Sequence, residues 1–183
     1  MTLARFCSSC GAPLPGRPPT RCDSCGAEHW RNPNTCANAL VVQDTELLLV
    51  HRAHAPWLGR WCAPGGFCDE GEHPIAAAER EILEETGLRA CVTGFLGIWV
   101  CRYADDQDDA DADTISVAYY LAKPLDDESV AFDRAEVAGV RWFLLDALPS
   151  ALAPPGILEA IVAAAAPRIV AGELETPLPD RPG

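Results

Sequence analysis

Three glutamates constrain this chain more than any other feature. Glu81, Glu84 and Glu85 stand at i, i+3 and i+4 within a stretch whose spacing predicts a single helix. His73-Pro74 places proline where a helix opens and Gly87 supplies a stop, so the helix is predicted over about Pro74 to Thr86. Ile75, Ala78 and Ile82 follow i, i+3, i+7 and form an apolar stripe, which leaves the glutamates together on another face. That face is costly. Like charges four residues apart destabilise a helix by roughly 0.2 to 0.5 kcal/mol, and a carboxylate in the last turn opposes the macrodipole by about 0.3 to 1 kcal/mol. Stability alone would select lysine or arginine there. A bound divalent cation reconciles the cluster with the helix, and oxygen-only ligands point to Mg²⁺ or Mn²⁺.

The acid is local. The 183 residues carry a formal net charge of −13, yet residues 66–88 hold seven acids against Arg80 alone, and residues 105–113 hold six aspartates. Residues 1–35 carry Arg5, Arg17, Arg21 and Arg31 against Asp23 and Glu28. The Asp run reads first as a solvated surface. Such acidity excludes a general nucleic-acid coat, which needs a basic face, and the small positive charge of residues 1–35 does not supply one. A composition of 49% hydrophobic and 22% charged residues is that of a globular chain. No apolar run approaches the ~18 residues of a membrane span. Met1 to Phe6 carries no secretory signal, so a cytoplasmic address is expected and disulfides are the poorer account of the nine cysteines.

Cys7-Ser-Ser-Cys10-Gly11 and Cys22-Asp-Ser-Cys25-Gly26 repeat one unit across eleven residues rich in proline. Two residues between paired cysteines let a tight turn aim both sulfurs at one ion, and the glycine after them accepts positive φ. Cys7, Cys10, Cys22 and Cys25 are therefore expected to hold a structural Zn²⁺ as a zinc ribbon. So short a module has almost no core, and the metal would supply most of its folding free energy. His29 and Cys36 read as structural, and Cys62, Cys68, Cys91 and Cys101 as small packing residues.

The full stretch GFCDEGEHPIAAAEREILEETGL, from Gly66 to Leu88, resembles the Nudix box of the Nudix hydrolase superfamily at every specified position. The resemblance extends over about residues 37 to 150. It implies an α/β fold, the Nudix α/β/α sandwich, with the small zinc ribbon placed before it: a ribbon over residues 1–35, a hydrolase domain over 36–166 and an irregular tail over 167–183. It implies Glu81, Glu84 and Glu85 as metal-binding and catalytic carboxylates, the Gly65 carbonyl as a further ligand, and Arg80 with Glu72 as the pair that orients them. The general base is either Glu81 or an acid of the downstream Asp105–Asp113 run. The implied reaction is cleavage of a pyrophosphate linkage in a nucleoside diphosphate joined to another group, by metal-activated water. The alternative is a nucleotide sensor whose ribbon binds nucleic acid or a protein. Members of the family often dimerise, so a homodimer is expected, although no residue marks an interface.

A zinc ribbon ahead of such a domain is similar to the NADH pyrophosphatases, but their SQPWPFPQS signature is absent from the corresponding region, Thr93 to Tyr103. The chain looks closer to the ADP-ribose pyrophosphatase branch. Arg52 or Arg60 is expected on phosphate, with Trp57, Trp99 or Tyr103 stacking on a base or ring. Elsewhere, Ala39–Val42 and Leu47–Val50 are predicted as a hairpin and Trp61–Gly66 as a loop. Strands are predicted over Thr114–Ala122 and Val137–Phe143, and a helix over about Gly156–Ala166.

Overall fold

A computed structural model of the chain describes residues 5–125, 132 and 136–178. Near the N-terminus two short strands, β1 (Thr20–Arg21) and β2 (Glu28–His29), form their own antiparallel sheet. The main sheet is organised around β3 (Asn34–Gln43), which pairs with β4 (Glu46–Arg52) as the expected hairpin, with Asp44 at φ 53° in its turn. Strand side chains alternate faces. Cys36, Leu40 and Val42 therefore enter one core while Ala37, Ala39 and Val41 enter another. A sheet covered on both faces accounts for apolar runs that show no polar alternation.

The other strands are β5 (Trp61–Cys62), β6 (Gly65–Phe67), β7 (Ala90–Arg102), β8 (Thr114–Pro124) and β9 (Val137–Leu144). The order is β5-β4-β3-β8-β7, with β6 added to β3 and β9 to β4; β3 and β8 run parallel and the other pairs antiparallel. Helix α1 (Pro74–Thr86) covers one face. Ala37, Ala39, Ala118 and Ala122 meet Ala77, Ala78 and Ile82 there, and such small side chains let helix and sheet approach closely. Helix α2 (Ile157–Val170) covers the opposite face with Leu158, Ile161, Val162, Ala165 and Ile169. This is an α/β/α sandwich with a small N-terminal module. Among the described residues no helix is long and apolar enough to cross a membrane.

Two local expectations are corrected, and one strand is added that the sequence does not anticipate. The loop expected over Trp61–Gly66 contains β5 and β6, whose two or three residues are too few for a periodic signal and are recruited by β4 and β3. Strand β7 is thirteen residues long, but its register with β8 shifts beside Gly94 and Gly97, which breaks the alternation that would reveal it. Helix α2 does not end at Ala166. It continues through Pro167 to Val170 because Ile169 remains on the buried face, and Pro167 in the last turn forfeits only its own N–H while its carbonyl still accepts from Ala171. Beyond the helix the tail is irregular but attached: the Thr176 N–H reaches the Thr93 carbonyl at 3.1 Å and its hydroxyl accepts from the Phe95 N–H at 2.7 Å. It thereby covers part of the β7 edge. Residues 179–183 of the expected tail lie outside the described residues.

Candidate active site

Helix α1 is built as its sequence predicts. The His73 ring accepts from the Ile75 N–H at 3.2 Å, and the Gly87 N–H, at φ 73°, closes on the Leu83 carbonyl. Arg80 organises the acids around this helix. Its guanidinium grips Glu72 with two bonds of 2.9 Å, donates to Glu81 at 2.8 Å and Glu84 at 2.9 Å, and reaches the Phe67 carbonyl at 3.1 Å. Glu85 turns away from it and accepts from the Gly65 N–H at 2.9 Å. Gly66 makes room for the cluster, since a Cβ there would lie 2.5 Å from the Glu81 carboxyl.

The carboxylates are not electrostatically alike. The paired guanidinium holds Glu72 down at about 2. Burial pushes Glu85 up to about 8 against the favourable Gly65 N–H, with Glu81 adding repulsion. Burial also raises Glu81, with Arg80 acting against it. Glu84 is half exposed. Glu81 and Glu85 are partly buried and both raised by that burial, with Arg80 pairing only the first of them directly; such a pair favours a cation, and their hard oxygen donors fit a divalent one.

Glu81, Glu85 and Gly65 line a cavity of about 320 Å³. Arg52, Trp57 and Tyr103 line the same cavity. Arg52 donates to the Pro56 carbonyl at 2.8 Å and the Tyr103 hydroxyl at 3.2 Å, with its guanidinium 5.5 Å from the Trp57 ring centroid. Tyr103 meets both Trp57 and Phe67 edge-on. Trp57 is 4% exposed, holds φ at 63°, and carries an indole N–H that is the buried unpartnered side-chain polar atom among the described residues. Positive φ in so bulky a residue is strained. Its own N–H donates to Asp105 at 2.7 Å, across forty-eight residues.

Arg60 and Trp99 lie outside this cavity. Arg60 donates to the Leu152 carbonyl, and Trp99 packs edge-on against Tyr119 as part of the core margin. The Asp run contributes no carboxylate to the cavity lining; among the described residues the downstream acid there is Glu136. Sequence reasoning passes over Glu136, Phe67 and Asn38. Phe67 had one visible signal, an aromatic directly after Gly65-Gly66, whereas Glu136 has no motif around it.

The four N-terminal thiols converge. Cys7 and Cys25 stand 3.6 Å apart and Cys10 and Cys22 3.7 Å, near the ~3.8 Å edge of a tetrahedron with ~2.3 Å metal–sulfur bonds. Burial works against the Cys7 thiolate, yet the N–H groups of Cys10 and Ser9 and the His29 ring hold it down at about 5. Cys10 is favoured by the Ala12 N–H but driven up to about 12 by Cys25, burial and the other thiols. Four thiolates need a cation to coexist. His29 stands outside the set, 3.2 Å from the Cys7 sulfur, and Cys36 lies in β3. Among the described residues the thiols are the one such group of ligand atoms within 4.8 Å. The glutamates are less closely gathered, because Arg80 stands between Glu81 and Glu84.

Residues 33–162 match the NUDIX domain. The chain belongs to the NUDIX family. Within the family it is 33% identical over 92 residues to an ADP-ribose pyrophosphatase of Methanocaldococcus jannaschii, which covers 50% of this chain and 52% of that protein. It is 29% identical over 172 residues to the NAD-capped RNA hydrolase NudC of Chromobacterium violaceum, covering 90% of this chain and 59% of that protein. The NUDIX chain thus spans about half to three fifths of these curated relatives. Its fold is that of a NUDIX hydrolase from Nitrosomonas europaea, with a TM-score of 0.76 at 23% identity over 94% of this chain and 96% of the other.

Proposed function

We propose that this NUDIX protein is a divalent-metal-dependent pyrophosphatase that cleaves a nucleoside diphosphate linked to another group. The observation that carries the reading is that partly buried Glu81 and Glu85, both raised by burial, line one cavity together with Arg52, Trp57 and Tyr103. An acidic wall alone would repel a diphosphate. Mg²⁺ or Mn²⁺ held by Glu81, Glu84, Glu85 and the Gly65 carbonyl would neutralise that charge, polarise the phosphoryl group and acidify an attacking water. Arg80, anchored by Glu72, orients Glu81 and Glu84. Glu81 is the proposed general base, with Glu136 at the cavity as the competing carboxylate. Arg52 takes phosphate charge, and Trp57 and Tyr103 face the base or ring; Arg60 and Trp99 are assigned no substrate contact, given where they lie.

ADP-ribose and NAD both contain an adenosine diphosphate esterified to a second sugar, and relatives of this chain are named for each. The absent SQPWPFPQS signature favours an ADP-ribose-like substrate over NADH. The Cys7, Cys10, Cys22 and Cys25 site is proposed to hold Zn²⁺ as a structural ion in a ribbon ahead of the hydrolase domain. Nine free thiols fit a reducing cytoplasm. A homodimer remains a proposal from the family habit. The sensor reading gains no support from the ribbon, since Arg17 and Arg31, two of its four arginines, are occupied within the chain.

Liquid chromatography–mass spectrometry with Mg²⁺ and a panel of ADP-ribose, NADH, FAD, diadenosine polyphosphates and nucleoside triphosphates tests the reading. ADP-ribose is expected to give AMP and ribose 5-phosphate fastest. Preferred cleavage of NADH would reverse the ranking, and no cleavage of any compound would remove the enzymatic reading.

A further inference from the structure

The aspartate run, residues 105–113, reads in sequence as a solvated surface and is exposed from Asp105 to Asp111, yet the segment is also held by specific contacts. Six carboxylates in nine residues repel one another and favour an extended chain. Here the segment turns back on itself, with the Asp109 N–H on the Asp106 carbonyl and the Ala112 N–H on the Asp109 carbonyl. Within the loop's own strand, Arg102 donates to the Ala112 carbonyl at 3.3 Å and the Gln107 amide bonds the Arg102 backbone; two further cations come from the N-terminal segment. Arg31 donates to the carbonyls of Ala110 at 3.2 Å, Asp111 at 2.9 Å and Ala112, and stands 3.8 Å from the Asp113 carboxylate. Arg17 pairs with the Asp111 carboxylate. Arg17 and Asp111 are largely exposed, so that pair contributes little; Arg31 and Asp113 are about three-quarters covered. Arg31 is the stronger hold.

The N-terminal root of the loop reaches the cavity. The Tyr103 N–H closes the loop on the Asp113 carbonyl at 2.7 Å, and its ring lines the cavity. Asp105 accepts from the Trp57 N–H, on the strained residue beside Arg52. Arg31 lies two residues beyond His29, whose ring contacts the Cys7 sulfur, and three residues before β3, so it stands at the join of the four-cysteine module and the sheet.

From these contacts we infer that the four-cysteine module positions the cavity wall. Arg31 is the positioning residue: it holds loop 104–113 in the compact form that places Tyr103 and Asp105 against Trp57. The inference deepens the hydrolase reading and rests on it only for its kinetic readout. Arg31 touches neither Glu81, Glu84 and Glu85 nor the cavity, so its loss weakens substrate binding and spares the chemical step.

Hydrogen–deuterium exchange and steady-state kinetics with ADP-ribose and Mg²⁺, on the full chain, test this in the wild type, Arg31→Ala and Arg31→Lys. In Arg31→Ala the segment 103–113 is expected to exchange roughly ten-fold faster while α1 is unchanged, with KM raised roughly five-fold and kcat altered less than about two-fold. Arg31→Lys keeps the charge but lacks the planar fork, so it restores only part of both effects. Unchanged protection of 103–113, equal acceleration across α1, or faster loop exchange at unchanged KM would each overturn the inference. A wild type that cleaves none of the panel counts against the hydrolase reading instead. Exchange then decides the positioning role by itself, and unchanged protection at Tyr103 overturns it.

Discussion

At the scale of the residue, one helix end holds acids pulled in opposite directions. Folded Glu85 sits at about 8 against an ordinary 4.5. Between those values the native state keeps a proton that the unfolded chain releases, so without Mg²⁺ stability falls as pH rises through that window. Glu72 behaves oppositely: at about 2 when folded, it contributes stability above 4.5 that is lost as pH falls toward 2. Thermal denaturation of the wild type and Glu85→Gln without Mg²⁺ is expected to show a Tm declining between about pH 5 and 8 in the first and a flatter profile in the second. Turnover by Glu85→Gln is expected to drop on the order of 10²-fold or more. A variant as pH-dependent in stability as the wild type would refute the burial account. Gly66→Ala tests the tight approach at Glu81: the added carbon, 2.5 Å from the carboxyl, must displace it, and kcat is expected to fall roughly 10²-fold. The carboxylates were legible because each lies within one or two turns of the next. Glu136 was not, because nothing near it in sequence signals that β9 begins beside the cavity.

Among elements, α1 matches its local signals most closely. Its cap glycine stands at φ 73° with its N–H on Leu83, so Gly87→Ala is expected to cost about 1 to 2 kcal/mol, measured by urea denaturation, with KM unaltered. β3 and β4 were legible from their apolar runs, and α2 from its composition up to Pro167. β5, β6 and β7 were not. The first two exist because β4 and β3 offer hydrogen-bond partners, and the third is interrupted where Gly94 and Gly97 shift its register. Proline marks a helix end only when nothing further on is worth burying, and Ile169 lies beyond it.

For the whole molecule, the cysteine module and the sandwich are joined by charge. A ribbon of two-residue strands has little core, so the metal is expected to carry its stability. Elemental analysis of protein purified without chelator should return one zinc per chain, and Cys25→Ser should lose that zinc; a metal-free wild type with an ordered module would refute the assignment. The net −13 divides on inspection into a carboxylate site and a loop neutralised in part by two arginines of the N-terminal segment. The sequence by itself determined the carboxylate helix, the two cysteine turns and the apolar strands of the sheet's centre. Helical faces, caps and ligand turns are set by residues a few positions apart. The tertiary structure alone decided that Trp57 meets Asp105 and that Arg31 meets Asp111, contacts spanning 48 and 80 residues. Such pairs leave no period in the chain, because their partners are brought together by packing on the sheet rather than by local geometry.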